Sequence, residues 1–221
     1  MAYGGSISCM TDSRNDELHI VGGHLALDLV NTVVPRIPGS TEGHDHIATP
    51  AGLLAWSRRV AIVDEAGADA ITTAWQGSPG VANQALRATL EVREATYAVL
   101  ARRQAKLPAD EGALEHLTLR WAAATARSAL VPGGIGVVEV LVGTSPGLTI
   151  PDRLAMAAVD LLRIVNLSRL RTCPVDEGGC GWLFLDHSRN GSRRWCAMAD
   201  CGTQAKIRKL TERRRSATTI S

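Results

Sequence analysis

Residues 173–201 read CPVDEGGCGWLFLDHSRNGSRRWCAMADC, and the four cysteines in that stretch decide how the chain divides. Their spacing is Cys173-x6-Cys180-x15-Cys196-x4-Cys201, while Cys9 stands alone. The N-terminus lacks a basic region followed by an apolar stretch, so a cytoplasmic location is expected. In that compartment clustered cysteines favour a metal over disulfides. Four thiolates complete a tetrahedral shell, which suits one structural Zn2+ ion per chain and leaves no open position for catalysis. His187 could replace one thiolate, but the cysteines already fill the shell. The absence of a C-x-x-C pair argues against a redox switch. About fifty residues bury too little apolar surface to fold well alone, so the metal would supply much of the folding energy of a separate module. Loss of one cysteine is then expected to unfold that module and leave the rest folded.

Within the module, Trp182–Asp186 and Ser192–Cys196 have strand composition, and Asn190-Gly191 between them is a strong hairpin signal. Trp182 and Trp195 would form its small core. After Cys201 and Gly202, Thr203 reads as the cap of a helix, QAKIRKLTERRR, with Gln204 as its first residue. Ile207 and Leu210 would face inward. Lys206, Lys209 and Arg213 would line one outer face, and Gln204, Arg208 and Arg215 another. Arg189, Arg193 and Arg194 add to the basic character. Residues 161–221 hold 12 Lys/Arg against 5 Asp/Glu, whereas residues 1–160 hold 12 against 17. A basic end on an acidic body suggests a polyanion partner, double-stranded DNA first. Thr203 and Gln204 would then lie where a recognition helix meets base edges, with the lysines and arginines on phosphates. A structural zinc ribbon that holds a protein instead of DNA is the competing reading.

Upstream the pattern is helical. Apolar residues recur every four positions over 21–34, at Leu25, Leu29 and Val33, and 35–48 reads as a loop. Thr49-Pro50 opens a helix over 50–63, a shorter one covers 64–75, the longest runs over 80–106, and another covers 109–126. The segments 124–131 and 136–142 flank Pro132-Gly133-Gly134 and predict a hairpin. Pro151 opens a helix through Arg171. No apolar run approaches the roughly 18–20 residues of a membrane span. The expected fold class is mainly α. It places a flexible leader (1–18) before an α-rich domain with a small β-hairpin (19–171), then a four-cysteine finger of hairpin plus helix (172–215) and a tail (216–221).

The body offers few groups for chemistry. No glycine-rich phosphate loop, G-x-S-x-G or H-E-x-x-H is present, and an enzyme is not expected. Asp28 and Asn31 share a face of a strongly apolar helix; with His24 they either bridge neighbouring elements or line a pocket for a small-molecule effector. Arg58 and Arg59 could offer a cation to such a ligand. His44-x-His46 beside Asp45 could hold a second metal, although loop histidines are more often solvated. A single finger reads few base pairs, so a homodimer through the helical body is expected, with 80–106 and 151–171 as candidate interfaces.

Two stretches carry a resemblance. The run CGWLFLDHSRNGSRRWCAMADCGTQAK (180–206) resembles the CGNR-type zinc finger of bacterial transcription regulators. Gly22-Gly-His-Leu-Ala-Leu-Asp-Leu-Val-Asn-Thr32, followed by Ala48-Thr-Pro-x-x-Leu-Leu-x-Trp56, resembles the ABATE domain that precedes this finger in the same family. Residues 65–150 match only in general character. The resemblance implies DNA binding by the finger, under control of a ligand or stress signal sensed by the helical domain. The family's Cys-Gly-Asn-Arg is here Cys201-Gly202-Thr203-Gln204, which keeps the zinc ligands and changes the residues that follow them.

Overall fold

A computed structural model describes residues 18–37 and 43–218; most of the expected leader, part of the 35–48 loop and the last three residues of the tail lie outside them. The fold is mainly α, with small antiparallel hairpins. Helix starts follow their caps. The Thr49 hydroxyl accepts from Gly52 N–H (3.1 Å), Asp64 from Gly67 (2.8 Å) and Asp110 from Ala113 (2.9 Å). They open α2 (Pro50–Arg59), α3 (Glu65–Gly77) and α5 (Glu111–Ala126), while α4 (Pro79–Gln104) starts on its proline. Helix α2 ends before residue 63 because Ala61 turns left-handed (φ 56°) ahead of the Asp64 cap.

The first helix is much shorter than its apolar repeat predicts. Helix α1 spans only Leu25–Val30, capped by His24, whose Nδ1 accepts from Ala26 N–H (3.2 Å). Val33–Val34 (β1) then pairs with His44–Asp45 (β2). Strands β3 (Ser128–Pro132) and β4 (Val138–Val142) form the expected hairpin. Helix α6 (Thr149–Arg163) buries Ile150, Leu154, Ala155, Ala158 and Leu161 along one stripe and packs on α1, α4 and α5. It ends eight residues earlier than predicted. Asn166 caps a tight turn, and Leu170–Thr172 leaves as strand β5.

Strand β5 is the partner of β6 (Leu183–Leu185), in the register Leu170↔Leu185 and Thr172↔Leu183. This corrects the predicted pairing of 182–186 with 192–196. Asn190-Gly191 does turn the chain, with Gly191 at φ 61°, but the turn serves Asp186 rather than a ladder. The buried Asp186 carboxylate accepts from Ser188 N–H and Arg193 N–H (both 2.9 Å), an Asx-turn arrangement that returns 188–193 over the strand end. Helix α7 (Thr203–Thr218) closes the fold and extends through 216–218, assigned above to the tail.

The cysteine module is not free-standing. One buried apolar cluster runs from Leu18 through α1, α4 and α6 to Leu183, Phe184 and all four module cysteines. Its seam is polar and exact in register: Asn31 Nδ2 donates to Leu183 O (2.8 Å), and Leu183 N–H donates back to Asn31 Oδ1 (3.0 Å). Trp182 Nε1 donates to Val33 O (2.8 Å), Arg36 N–H to Cys180 O (2.7 Å), and Leu185 N–H to Gly22 O (2.8 Å).

Candidate metal centre and nucleic-acid interface

Each metal-centre cysteine is placed by a different device. Cys173 follows β5, its N–H donating to Trp182 O (2.8 Å). The chain then winds back through a tight turn at Val175–Glu177 to Cys180. Only glycine fits two positions there. A Cβ on Gly179 would lie 2.6 Å from Cys173 Sγ, and one on Gly181 (φ 78°) 2.0 Å from Arg36 O. Cys196 follows the extended return from Asp186, and Cys201 sits in the wide helical turn Met198–Gly202.

The four buried Sγ atoms all lie within 4.8 Å of one another, with Cys180–Cys196 at 3.4 Å and Cys196–Cys201 at 3.6 Å. A disulfide would need about 2.05 Å. A tetrahedral zinc with Zn–S bonds of about 2.3 Å sets its sulfurs roughly 3.8 Å apart, so the donor set fits one structural zinc ion. The crowded sulfurs bias one another's protons. Hydrogen bonds with Cys180, Cys196 and Cys201 hold the Cys173 thiol below its ordinary range, and those with Cys173, Cys196 and Cys201 push Cys180 up. A cation takes all four as thiolates. Among the described residues the four cysteines are the group able to hold a metal. His187 is outside it, against Gly23. Asp45 is gripped by Arg93 (2.8 and 2.9 Å), so the His44–Asp45–His46 stretch gathers no second site; the two histidine rings meet edge to face at 4.5 Å.

The basic residues divide into tethered and outward-facing groups. Arg193 is a rivet: its Nε donates to Trp195 O (3.0 Å), it also bonds Cys196 O, and its guanidinium stacks 4.5 Å over Phe184. Arg194 pairs with Glu177, and Lys209 Nζ lies 3.9 Å from the same carboxylate. Sequence reading missed Glu177, an acidic clamp inside the basic face, because its partners lie 17 and 32 positions away. It also missed Asp186, although Asp186-x-Ser188 is itself a turn signal. Arg189, Thr203, Gln204, Lys206, Arg208 and Arg213 are exposed.

Helix α7 differs from expectation at its start. Thr203 already has helical geometry (φ −70°, ψ −44°), and its hydroxyl donates to Met198 O (3.1 Å) instead of capping. Helical winding enters from Met198, so Gln204 is not the first residue of a free helix end. Ala205 is buried at the start of α7; Ile207 and Leu210 are 58% and 55% exposed rather than packed inward.

The polar residues of the first helix are occupied. Asn31 spends its amide on Leu183, as described. Asp28 Oδ1 accepts from Gly22 N–H (2.8 Å); burial pushes its carboxyl up to about 6 against that hydrogen bond. Burial lowers His24, opposed by the charge of Asp160. Arg58 turns to Glu65 at the surface (2.6 Å). A groove of about 540 Å³ lies elsewhere, between α4 and α5, floored by Leu90, Ala95 and Ala98 and rimmed by Glu91, Glu94 and His116. No helix among the described residues is long and apolar enough to cross a membrane.

Comparison with known proteins matches two family models. No curated protein matches the chain. The CGNR zinc finger model matches residues 169–214, a span that takes in β5 and all four cysteines. Residues 23–164, more than half of the chain, match the ABATE model, described as "Putative stress-induced transcription regulator". Neither is an enzyme family. With four cysteines gathered for zinc behind a helical body, the chain belongs to the ABATE family and ends in a CGNR zinc finger.

Proposed function

We propose that this protein is a cytoplasmic transcription regulator that binds double-stranded DNA through its zinc finger, as a homodimer controlled by a small ligand or stress signal. The observation that carries the reading is α7. The metal centre anchors its first turn, and beyond Ala205 its outward chemistry is dominated by Lys206, Arg208, Lys209 and Arg213. Such a helix suits phosphate contacts, with Arg193 holding the finger together from within. Sequence readout falls to Thr203, Gln204 and the turn before them.

The effector reading moves away from His24, Asp28 and Asn31, whose polar atoms serve backbone groups, towards the α4–α5 groove. Its apolar floor suits an apolar small molecule, since the rim carboxylates Glu91 and Glu94 are already paired with Arg120 and with Arg36 and Arg93. The deciding experiment is binding of zinc-loaded protein to duplex DNA at two salt concentrations. A DNA-binding finger loses affinity steeply with salt, as counterions displaced from phosphates return. A flat salt response, or no binding, would favour the protein-interaction ribbon.

A further inference from the structure

Cys180 is a metal ligand whose backbone is gripped from outside the finger. Cys173 N–H donates to Trp182 O, and Cys196 O accepts from Arg193, both within the finger. The Cys180 carbonyl instead accepts from Arg36 N–H (2.7 Å), in the helical domain. The next residue tightens the same contact, since a Cβ on Gly181 would lie 2.0 Å from Arg36 O. The backbone of Arg36 thus meets the Cys180–Gly181 peptide with both its N–H and its carbonyl.

Residues 35–37 belong to no helix or strand, which leaves side-chain bonds to fix Arg36. The residue is only 8% exposed, and its guanidinium is bound on three sides. Nε donates to Val30 O at the end of α1 (3.0 Å), and the ring of Tyr97 lies 4.6 Å beneath Cζ. Nη1 and Nη2 donate to the two carboxylate oxygens of Glu94 on α4 (2.7 and 3.0 Å). A guanidinium held by both arms is fixed in place and in plane. Glu94 is itself steadied by Arg93 Nε (2.7 Å), whose other nitrogens are on Asp45. Its carboxylate, half exposed, rims the α4–α5 groove. Two side chains therefore connect the wall of that groove to a metal ligand.

We propose that Arg36 is a positioning residue of the zinc site, setting Cys180 through its backbone, and that Glu94 holds Arg36 in place from the groove wall. Groups outside the ligand shell aim the ligands, and losing one costs about 10–100-fold in metal affinity. Here the aiming groups lie in the helical domain, so the finger carries its ligands without all the means of orienting them. The role does not depend on what the finger binds, and it holds equally for DNA or a protein partner.

The test is zinc release from the full zinc-loaded chain to excess pyridylazoresorcinol, well below the melting temperature, with melting curves recorded in parallel. Arg36→Ala keeps the N–H that meets Cys180 and removes only its anchors; Glu94→Gln removes the charge that grips the guanidinium. Each should speed release by about 10–100-fold, the loss expected for an orienting group. The control is Asp152→Asn, which breaks the buried Arg127–Asp152 pair inside the helical domain and leaves Arg36 untouched. It should lower the melting temperature and release zinc at the wild-type rate. Wild-type release in both variants overturns the proposal; in Glu94→Gln alone, it strikes Glu94 and keeps Arg36. Should Arg36→Ala not fold, Glu94→Gln decides alone. Equal acceleration by Asp152→Asn at the same loss in melting temperature overturns both roles, because general stability would then account for the effect.

Discussion

Replacing Asn31 by alanine tests whether the helical body and the finger are one cooperative structure. Asn31 is 1% exposed, and its amide answers both the N–H and the C=O of Leu183, itself 1% exposed. Alanine leaves two buried backbone groups without partners, each costing about 1–3 kcal/mol, so the loss should be about 2–6 kcal/mol. Against a typical total of about 5–15 kcal/mol that is a large share. For a chain of 221 residues it corresponds to a fall in Tm of roughly 4–24 °C. Asn31→Asp keeps the acceptor for Leu183 N–H but faces its carbonyl with a carboxylate, and should be no milder. Calorimetry of zinc-loaded protein should show a single transition displaced as a whole. A shift equivalent to under about 1 kcal/mol would mean that water replaces the amide. Two transitions, with only the later-melting or only the earlier-melting one moving, would refute the shared core.

Zinc analysis should give one ion per chain, and Cys196→Ser should abolish it. Because the cysteines share the buried cluster of α1 and α6, the variant should lower the melting of the whole chain rather than of the finger alone; structural zinc sites are worth on the order of 10 kcal/mol. Asp28, raised to about 6 by burial, holds its proton in the folded state after the unfolded chain has lost it near pH 4. Its contribution to stability is therefore present at low pH and is lost as pH rises through about 6, by up to roughly 3 kcal/mol. Asp28→Asn keeps an oxygen for Gly22 and should gain on wild type between about pH 4 and pH 6.5 in urea titrations; a constant difference would contradict the raised value. Glu177→Gln frees Arg194 and Lys209 and should tighten DNA binding about three- to ten-fold at low salt, read by fluorescence anisotropy. An unchanged affinity would turn that side of the finger away from DNA.

What the sequence revealed was local. Thr49-Pro50 marked α2 because capping is settled within four residues, and the four cysteines declared themselves because ligand chemistry tolerates few substitutes. Errors arose where the deciding partner is distant. The apolar repeat over 21–34 looked like one long helix, but Asn31 and Thr32 leave it to meet groups elsewhere, Asn31 binding a strand 152 positions away. Asn190-Gly191 signalled a turn correctly and a hairpin wrongly, since β6 had already found β5 across the cysteine turn. Ile207 and Leu210 fit an inward helical face by periodicity, yet α7 leaves the core after its first turn, and among the described residues both stay more than half exposed.

The seam between body and finger bears on the DNA that such a dimer would select. The finger is not tethered by a linker but pinned at Asn31, Val33 and Arg36, with Leu170 buried at its entry. Two tethered fingers would reach half-sites over a range of spacings. Two pinned ones offer their helices at one separation and one rotational phase. B-DNA turns once in about 10–10.5 base pairs, so one inserted pair rotates the second half-site by roughly 35°, and five carry it to the opposite side of the duplex. The spacing rule of the operator would thus be written in the protein interior, by residues such as Asn31 that never touch a base.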